Sequence, residues 1–369
     1  MPVSLAEADT GFPMNIVQAT RSYEHWLVKQ IPLVKPDLRE KHKKMAEAIF
    51  PFLRATFYRW MQLWPATCPE LARAPRVLAV GDLHVENFGT WRDVEGRLIW
   101  GVNDFDEAYP LPYTVDLVRL ATSAVLARKE RHFSIKIKLA CDALLGGYAD
   151  SLQQGGEPFV LAERNRWLRR IAENRLRDPV VFWARLDALP PIPRIPEAAR
   201  RAIEHLLPAS GIKLRYAHRV AGLGTLGRQR YVALAEWHGG RIAREVKGIV
   251  PSASLWAGFG GGRPQILYQT LITRSVRCPD PFIHAHREWV ARRLSPHCAR
   301  IELQDLPARR DEHRLLYAMG WETGNLHLGS PGARERVQKD LSRRNPRWLL
   351  AAVRLMAREV EKDWEQWRK

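Results

Sequence analysis

The sequence predicts an α+β fold in which a mostly helical part precedes a smaller part built from antiparallel strands. Apolar and aromatic residues at helical spacing fill residues 14–75, and the helical pattern returns after residue 311. Residues 214–246 instead alternate short strand-like runs with glycine-rich turns. A run with four prolines, 189–197, cannot be helix interior and marks the change in composition. The predicted segments are 1–205 (helical), 206–305 (β-rich) and 306–369 (helical).

The individual elements follow from local patterns along the chain. The first helical stretch runs to a break at Pro65. Further helices are predicted at 113–129, 135–152, 163–174, 198–207 and 347–369. Strands are predicted at 77–80, 98–102, 214–221, 229–237, 241–246, 289–294 and 299–303, the last two as a hairpin. The glycines of 258–262 predict a flexible loop.

Composition narrows the class of protein and its partners. The net charge of +18 favours an anionic partner, although the charge is spread over the whole chain and also fits a solvated surface. Four cysteines without metal-ligand spacing suit reduced thiols. No signal peptide and no membrane-spanning run is evident, so we expect a cytoplasmic protein. The oligomeric state is left open.

Polar clusters follow two of the short apolar runs, 77–80 and 98–102. A turn at 92–97 suggests a hairpin-like connection between them, so the clusters should meet at the ends of neighbouring strands. Carboxylate and amide oxygens gathered there would suit a hard cation such as Mg²⁺. The clustered side chains are Asp82, His84, Asn87, Asp104 and Asp106.

A glycine-rich turn occurs later in the chain, at Gly222, Gly224 and Gly227. The dinucleotide-binding form of this motif requires a helix after the glycines, but here a strand, a Gly-Gly turn and another strand follow. That order is typical of the loop that kinases place over the phosphates of ATP. Lys247 lies twenty residues after Gly227, at the end of the next strand, where a kinase has its phosphate-binding lysine.

The spacing of the first polar cluster points to the same chemistry. Asp82 and Asn87 are five residues apart, as are the base aspartate and the metal-binding asparagine of a kinase catalytic loop. Asp104 then stands at the position of the metal-binding aspartate. His84 is interpreted as a residue that orients the loop rather than as a catalytic group. Asp116, a carboxylate within an apolar helix, requires a buried partner.

These motifs resemble a known family. GDLHVENFG, NDFDEA and PYTVDLVRLATS are similar to those of the domain of unknown function 2252 family, a bacterial group related to aminoglycoside phosphotransferases and protein kinases. The resemblance runs from about Phe50 to about Gly329 and implies a two-lobed kinase-like fold that binds ATP and Mg²⁺. The roles that it implies are a catalytic base at Asp82, Mg²⁺ ligands at Asn87 and Asp104, a phosphate ligand at Lys247, and a helix carboxylate at Asp116 that binds amides near Asp82.

The sequence departs from the kinase pattern in two respects. The glycine turn and Lys247 follow the catalytic loop by about 140 residues instead of preceding it, which predicts a circular permutation with 306–369 returning to the helical lobe. No confident glutamate partner for Lys247 is found, and Glu245 and Glu288 are only candidates. A phosphotransferase with an unknown small acceptor is therefore expected, and a nucleotidyl transferase or an inactive nucleotide binder stays open.

Two further classes remain as alternatives. A binuclear metallophosphoesterase would use Asp82 and His84 together with an Asn-His step at Asn325 and His327 and the histidines at 284 and 286. The order and distance of these residues along the chain fit that site poorly. Nucleic-acid binding rests on charge alone, because no specific nucleic-acid motif is present.

Overall fold

Helices form the two ends of the described chain, and antiparallel strands form its middle. The computed structural model describes residues 14–161, 163–172, 178–260, 264–298, 303 and 311–369. Its helices are α1 (Ile16–Val28), α2 (Lys35–Glu47), α3 (Ile49–Ala55), α4 (Phe57–Thr67), α5 (Pro69–Ala72), α6 (Tyr113–Lys129), α7 (Ile137–Gln154), α8 (Arg166–Ala172), α9 (Pro179–Asp187), α10 (Glu197–Glu204), α11 (Ala253–Trp256), α12 (Tyr268–Arg274), α13 (Glu312–His327), α14 (Ala333–Leu341) and α15 (Trp348–Trp367). Its strands are β1 (Arg76–Ala79), β2 (Phe88–Arg92), β3 (Leu98–Val102), β4 (Tyr109–Pro112), β5 (Phe159–Val160), β6 (Pro191–Ile192), β7 (Arg215–His218), β8 (Arg230–Trp237), β9 (Gly240–Gly248), β10 (Ile283–His286) and β11 (Trp289–Leu294). The predicted α+β class is confirmed.

The N-terminal stretch forms helices α1 to α5, as its periodicity predicts. Asn15 begins α1 with a reciprocal capping box, in which its side chain and that of Gln18 each accept from the other residue's amide. The predicted break at Pro65 is wrong, because α4 continues to Thr67. Trp60 and Trp64 stack within that helix and are buried, so packing of the last turn outweighs the hydrogen bond that Pro65 cannot donate.

The strands near the polar clusters pair differently from our expectation. Strand β1 pairs with β4, and β3 pairs with β2 and β5, so the two runs 77–80 and 98–102 are not neighbours. The turn at 92–97 does form a hairpin, but it joins β2 to β3. Sequence periodicity missed β2 because all but its last residue are buried, which leaves no alternation to detect.

One larger sheet carries the later strands in the order β10-β11-β9-β8-β7-β6. All its pairings are antiparallel. Strand β9 lies between β8 and β11, so Lys247 stands opposite Arg230 on one side and Val290 on the other. The turn between β8 and β9 includes Gly239 with a φ of +75°, a conformation that glycine adopts without steric cost.

The predicted hairpin of 289–294 with 299–303 is wrong in its second strand. Strand β11 forms its hairpin with β10 instead, through a turn at Arg287 and Glu288. Of the expected partner, residues 299–302 lie outside the described residues, as do 261–262 of the predicted glycine loop and 173–174 of the predicted helix. The other predicted helices are confirmed, with ends shifted by up to three residues.

Close helix contacts build the helical side of the molecule. Helix α13 packs along α7, and a methyl group at Gly320 would lie 2.0 Å from the carbonyl oxygen of Leu144, so only glycine permits this approach. Helix α15 packs across α6, α3 and α4. A buried ion pair between Arg59 and Asp363, with Nε 2.7 Å from Oδ2, joins the last helix to α4.

The predicted segment boundary at 205/206 falls after two elements that belong with the large sheet. Strand β6 is its edge strand, and α10 packs against β9 and β11. At the other end, α13 and α15 pack with α7 and α6 of the first segment. Among the described residues, no helix combines the length and the apolar character needed to cross a membrane.

Candidate functional site

The loop that follows β1 is held by a buried carboxylate of α6. Asp116 is fully buried and accepts hydrogen bonds from the amides of Val80 at 2.7 Å and Gly81 at 2.8 Å. His327 of α13 contacts the same carboxylate, with Nε2 3.0 Å from Oδ2. Helix α6 therefore fixes the backbone immediately before Asp82, and this is the contact that the family resemblance implies for Asp116.

The rest of this loop is closed by Asn87 and His84. Asn87 Oδ1 accepts from the amide of His84 at 2.8 Å, and its carbonyl oxygen accepts from the amide of Asn103 at 3.0 Å. His84 is buried, and its Nδ1 accepts from the amide of Glu86 at 3.2 Å. The loop hydrogen bonds thus join the end of β3 to the loop after β1, although the two strands belong to different sheets.

Asp82 is paired with an arginine that sequence reasoning missed. Arg119, fully buried on α6, donates from Nε at 2.9 Å and Nη2 at 2.5 Å, both to Asp82 Oδ1. Burial raises the pKa of Asp82 to about 6, against the opposing effect of the Arg119 charge. The available sequence signal was an arginine one turn after Asp116 in an otherwise apolar helix, which requires a buried acid.

Lys247 meets two carboxylates of the second polar cluster. Its Nζ lies 2.8 Å from Asp104 Oδ1 and 2.6 Å from Asp106 Oδ1, and its side chain is buried. Burial acts to raise the pKa of Asp104, but the Lys247 ammonium outweighs it and holds that pKa well below its usual range. Burial and then the Asp104 charge raise the pKa of Asp106. The β-strand lysine therefore contacts the candidate metal aspartate across 143 residues of sequence.

Neither glutamate that the sequence offered is the partner of Lys247. The Glu288 side chain is exposed in the turn between β10 and β11. Glu245 is fully buried and is bound by three arginines that surround it in the large sheet. Those arginines are Arg219, Arg230 and Arg292.

The glycine turn lies directly over Asp82. It forms a short 3₁₀ turn between β7 and β8, and Gly222 and Gly227 have φ values of +74° and +97°. A methyl group at Gly224 would lie 3.3 Å from Asp82 Oδ2 and 3.1 Å from the carbonyl oxygen of Arg54. Glycine therefore permits the close approach of this turn to the loop after β1.

Several of these groups line a small cavity. Its lining includes Asp82, Asn87, Asp104 and residues 222–225, together with Lys41 and Arg54 from the N-terminal helices. Its volume is about 40 Å³, room for about three water-sized groups, which is far less than a nucleotide needs. A nucleotide would require the glycine turn to move away from Asp82.

The residues of the metallophosphoesterase alternative do not converge. His327 and Asn325 are buried within α13 and bound to other side chains, with Tyr148 on His327 and Ser151 on Asn325. The histidines at 284 and 286 stack with each other on β10. In the part of the chain that the structure describes, no three His, Cys, Asp or Glu side chains form a group suited to holding a metal ion.

A comparison with protein-family models identifies a match to part of the chain. Residues 33–179 match DUF2252. That family model is described as an uncharacterized protein conserved in bacteria. The matched stretch contains Asp82, Asn87, Asp104 and Asp116 but ends before the glycine turn and Lys247. Searches of the curated proteins and of the solved structures found no match.

Proposed function

We propose that this chain is an ATP- and Mg²⁺-dependent phosphotransferase of kinase-like, circularly permuted architecture. The observation that carries the proposal is the meeting of two distant stretches of the chain around Asp82 and Asp104. Lys247 lies 2.8 Å from Asp104, and the glycine turn covers Asp82. A strand–glycine turn–strand unit, a lysine on the next strand and a loop with an aspartate and an asparagine are the parts that phosphoryl transfer from ATP uses in kinases.

The order of elements supports the permutation. Strands β7, β8 and β9 are consecutive neighbours in the sheet, with the glycine turn between the first two and Lys247 on the third. Helix α13 follows this sheet in the chain and packs against α7 of the first segment, so the chain returns to the helical side. Cutting and rejoining a kinase-like chain at exposed loops would produce this order.

The chemistry of the donor set fits Mg²⁺ bound with ATP. Asn87 and Asp104 line the cavity. Asn87 Oδ1 accepts from the amide of His84, and Lys247 contacts Asp104 Oδ1, so Asp104 Oδ2 is the carboxylate oxygen left for a metal ion. Mg²⁺ is usually held in such sites by one or two carboxylates with the remaining positions filled by phosphate oxygens and water. When bound, the ion would neutralise charge on the outer phosphates of ATP.

Asp82 would accept the proton of the acceptor. Both bonds from Arg119 go to Oδ1, which leaves Oδ2 as the oxygen that faces the glycine turn. As the acceptor oxygen forms its bond to the γ-phosphorus, its proton passes to Oδ2, and the bond to the bridging oxygen breaks to release ADP. With a pKa of about 6, Asp82 is ionised at pH 7 and loses this capacity as the pH falls below 6.

One observation favours the alternative of a nucleotide binder without transfer. The Asp82–Arg119 ion pair occupies one carboxylate oxygen and lowers the basicity of the other. A nucleotidyl transferase is distinguished from both by its products, since it would release pyrophosphate.

The test compares nucleotide binding with turnover in single variants. Mg²⁺ and ATP should raise the melting temperature of the protein, and Asp104→Asn and Lys247→Met should abolish that shift. Asp82→Asn should keep the shift and lose ADP formation. Asp142→Asn, an exposed carboxylate on α7, serves as the matched control and should change neither readout. ATP binding that is indifferent to both Asp104 and Lys247 would exclude the proposed site.

Because Lys247 and Asp104 form a buried pair, each variant is first compared with the parent protein in its melting temperature without ligand. Products are then separated by chromatography. ADP with a phosphorylated acceptor indicates phosphoryl transfer, pyrophosphate with an acceptor that carries AMP indicates nucleotidyl transfer, and unchanged ATP indicates a binder.

A further inference from the structure

Lys41, a buried lysine of helix α2, lies at the candidate site. Lys41 shares the inward face of this helix with Asp37 and Met45, at four-residue spacing. Its side chain is only 5% exposed, unlike the exposed Lys43 two residues on. Together with Asp82 and the glycine turn, Lys41 lines the cavity.

The Lys41 ammonium is incompletely satisfied. It has three N–H donors and, within the described residues, forms one hydrogen bond, from Nζ to the carbonyl oxygen of Gly224 at 3.2 Å. The ring of Tyr58 lies 5.9 Å away. No carboxylate of the described residues forms an ion pair with it. The charges of Glu24, Asp82 and Glu107 act on the ammonium, but none of these carboxylates forms an ion pair with it. A buried ammonium without a directly bonded carboxylate is costly, so a site that retains one is suited to receiving an anion.

The position of Lys41 indicates which anion fits. The acceptor residue, Gly224, lies against Asp82, and Lys41 and Asp82 line the same cavity, Lys41 on the side contributed by the N-terminal helices. The cavity of about 40 Å³ accepts about three water-sized groups, so a single small oxyanion suits it better than any larger anion.

We propose that Lys41 is the ligand of a phosphate group bound beside Asp82, a second cation distinct from Lys247. This inference rests on the proposed function only where it identifies the bound phosphate group with the phosphoryl group that is transferred. Binding of free phosphate at Lys41 does not depend on the proposed function. In the transfer reaction, Lys41 would neutralise charge on the equatorial oxygens, while Lys247 contacts the Asp104 side of the site.

The ionisation of Lys41 agrees with this role. Burial, and then the charge of Arg228, lower the pKa of Lys41 to about 8. At pH 7 the amine is therefore still protonated and can bind an anion. Phosphate bound to it would stabilise the ammonium form further.

The test is calorimetric titration of the full chain with inorganic phosphate at pH 7. The parent protein should bind phosphate, and Lys41→Met should weaken binding at least tenfold. Lys43→Met, on the exposed face of the same helix, should leave it unchanged. Because methionine replaces an unpaired buried ammonium, Lys41→Met should melt at the same temperature as the parent protein or higher.

The outcomes separate this inference from the proposed function. Phosphate binding by Lys41→Met equal to that of the parent protein, or no phosphate binding by the parent protein, would overturn the site. Phosphate binding that depends on Lys41, without any effect of Mg²⁺ and ATP on melting, would support the site and refute the phosphotransferase. If ATP is turned over, Lys41→Met should lower kcat more than tenfold while Mg²⁺-ATP binding through Lys247 persists.

Discussion

Removing the Asp116 carboxylate should destabilise the whole fold, because three elements meet on it. In Asp116→Ala, the amides of Val80 and Gly81 lose their acceptors. His327 loses the carboxylate that contacts its Nε2. All these groups are buried, so water does not replace the lost acceptors while the chain stays folded.

The size of the effect follows from the number of stranded donors. A buried donor without an acceptor costs about 1–3 kcal/mol, so two backbone amides give a loss of about 4 kcal/mol in the free energy of unfolding. That is a large share of the ~5–15 kcal/mol typical of a folded domain. Asp116→Asn keeps one acceptor oxygen and turns an NH₂ group toward the other amide, so we expect about half that loss.

Urea unfolding followed by tryptophan fluorescence measures this change, since the chain has 14 tryptophans. The control is Asp142→Ala, which removes an exposed ion pair to Lys138 and should cost at most about 0.5 kcal/mol. A loss below about 1 kcal/mol in Asp116→Ala would refute the reasoning. It would mean that the loop before Asp82 is not held by this carboxylate.

Three further predictions concern the site and the core. Gly224→Ala should weaken phosphate or nucleotide binding about tenfold, because its methyl group enters the gap above Asp82. Gly240→Ala, with 3.7 Å to the nearest atom, should have no effect. Arg59→Met leaves Asp363 buried without its partner and should lower the free energy of unfolding by about 3–5 kcal/mol in urea titrations. Burial raises the pKa of Glu322 to about 7 in the folded chain, so the free energy of unfolding falls as the pH rises from about 4.5 to 7. Glutamine does not ionise, so in Glu322→Gln this fall should be smaller by about 3 kcal/mol. Parallel pH profiles for Glu322→Gln and the parent protein would contradict this last assignment.

Local patterns were sufficient for most elements of the fold. Helix spacing predicted α6 and α15, and the Gly-Gly turn predicted the β8–β9 hairpin. Strand pairing was less accessible, because the partner of a short strand is decided by contacts with residues distant in sequence. Strands β1 and β4 pair across more than thirty residues, and no local signal in either one identifies the other.

The sequence predicted the carboxylates of the candidate site and Lys247, but it did not predict Arg119 or Lys41. Asp82, Asn87 and Asp104 occur in compact motifs that a single sequence displays. Arg119 contacts Asp82 and Lys41 lines the cavity, and both lie on helices whose orientation depends on tertiary packing. The apolar residues around Arg119 indicate that this arginine is buried. The sequence around Lys41 contains exposed lysines and gives no sign that Lys41 is buried.

The Arg59 guanidinium brings the two ends of the described chain together. It donates to the carbonyl oxygen of Met14 at 2.9 Å and to the carboxylate of Asp363, so residues that are 349 positions apart share one side chain. A short linker between Met14 and the end of α15 could therefore close the segment 14–369 into a ring, which could be reopened at the exposed turn around Ser210. Such a rearranged gene would encode the glycine turn before the Asp82 loop. The ribosome would then synthesise the two parts of the site in the opposite order, while every contact of the site is kept.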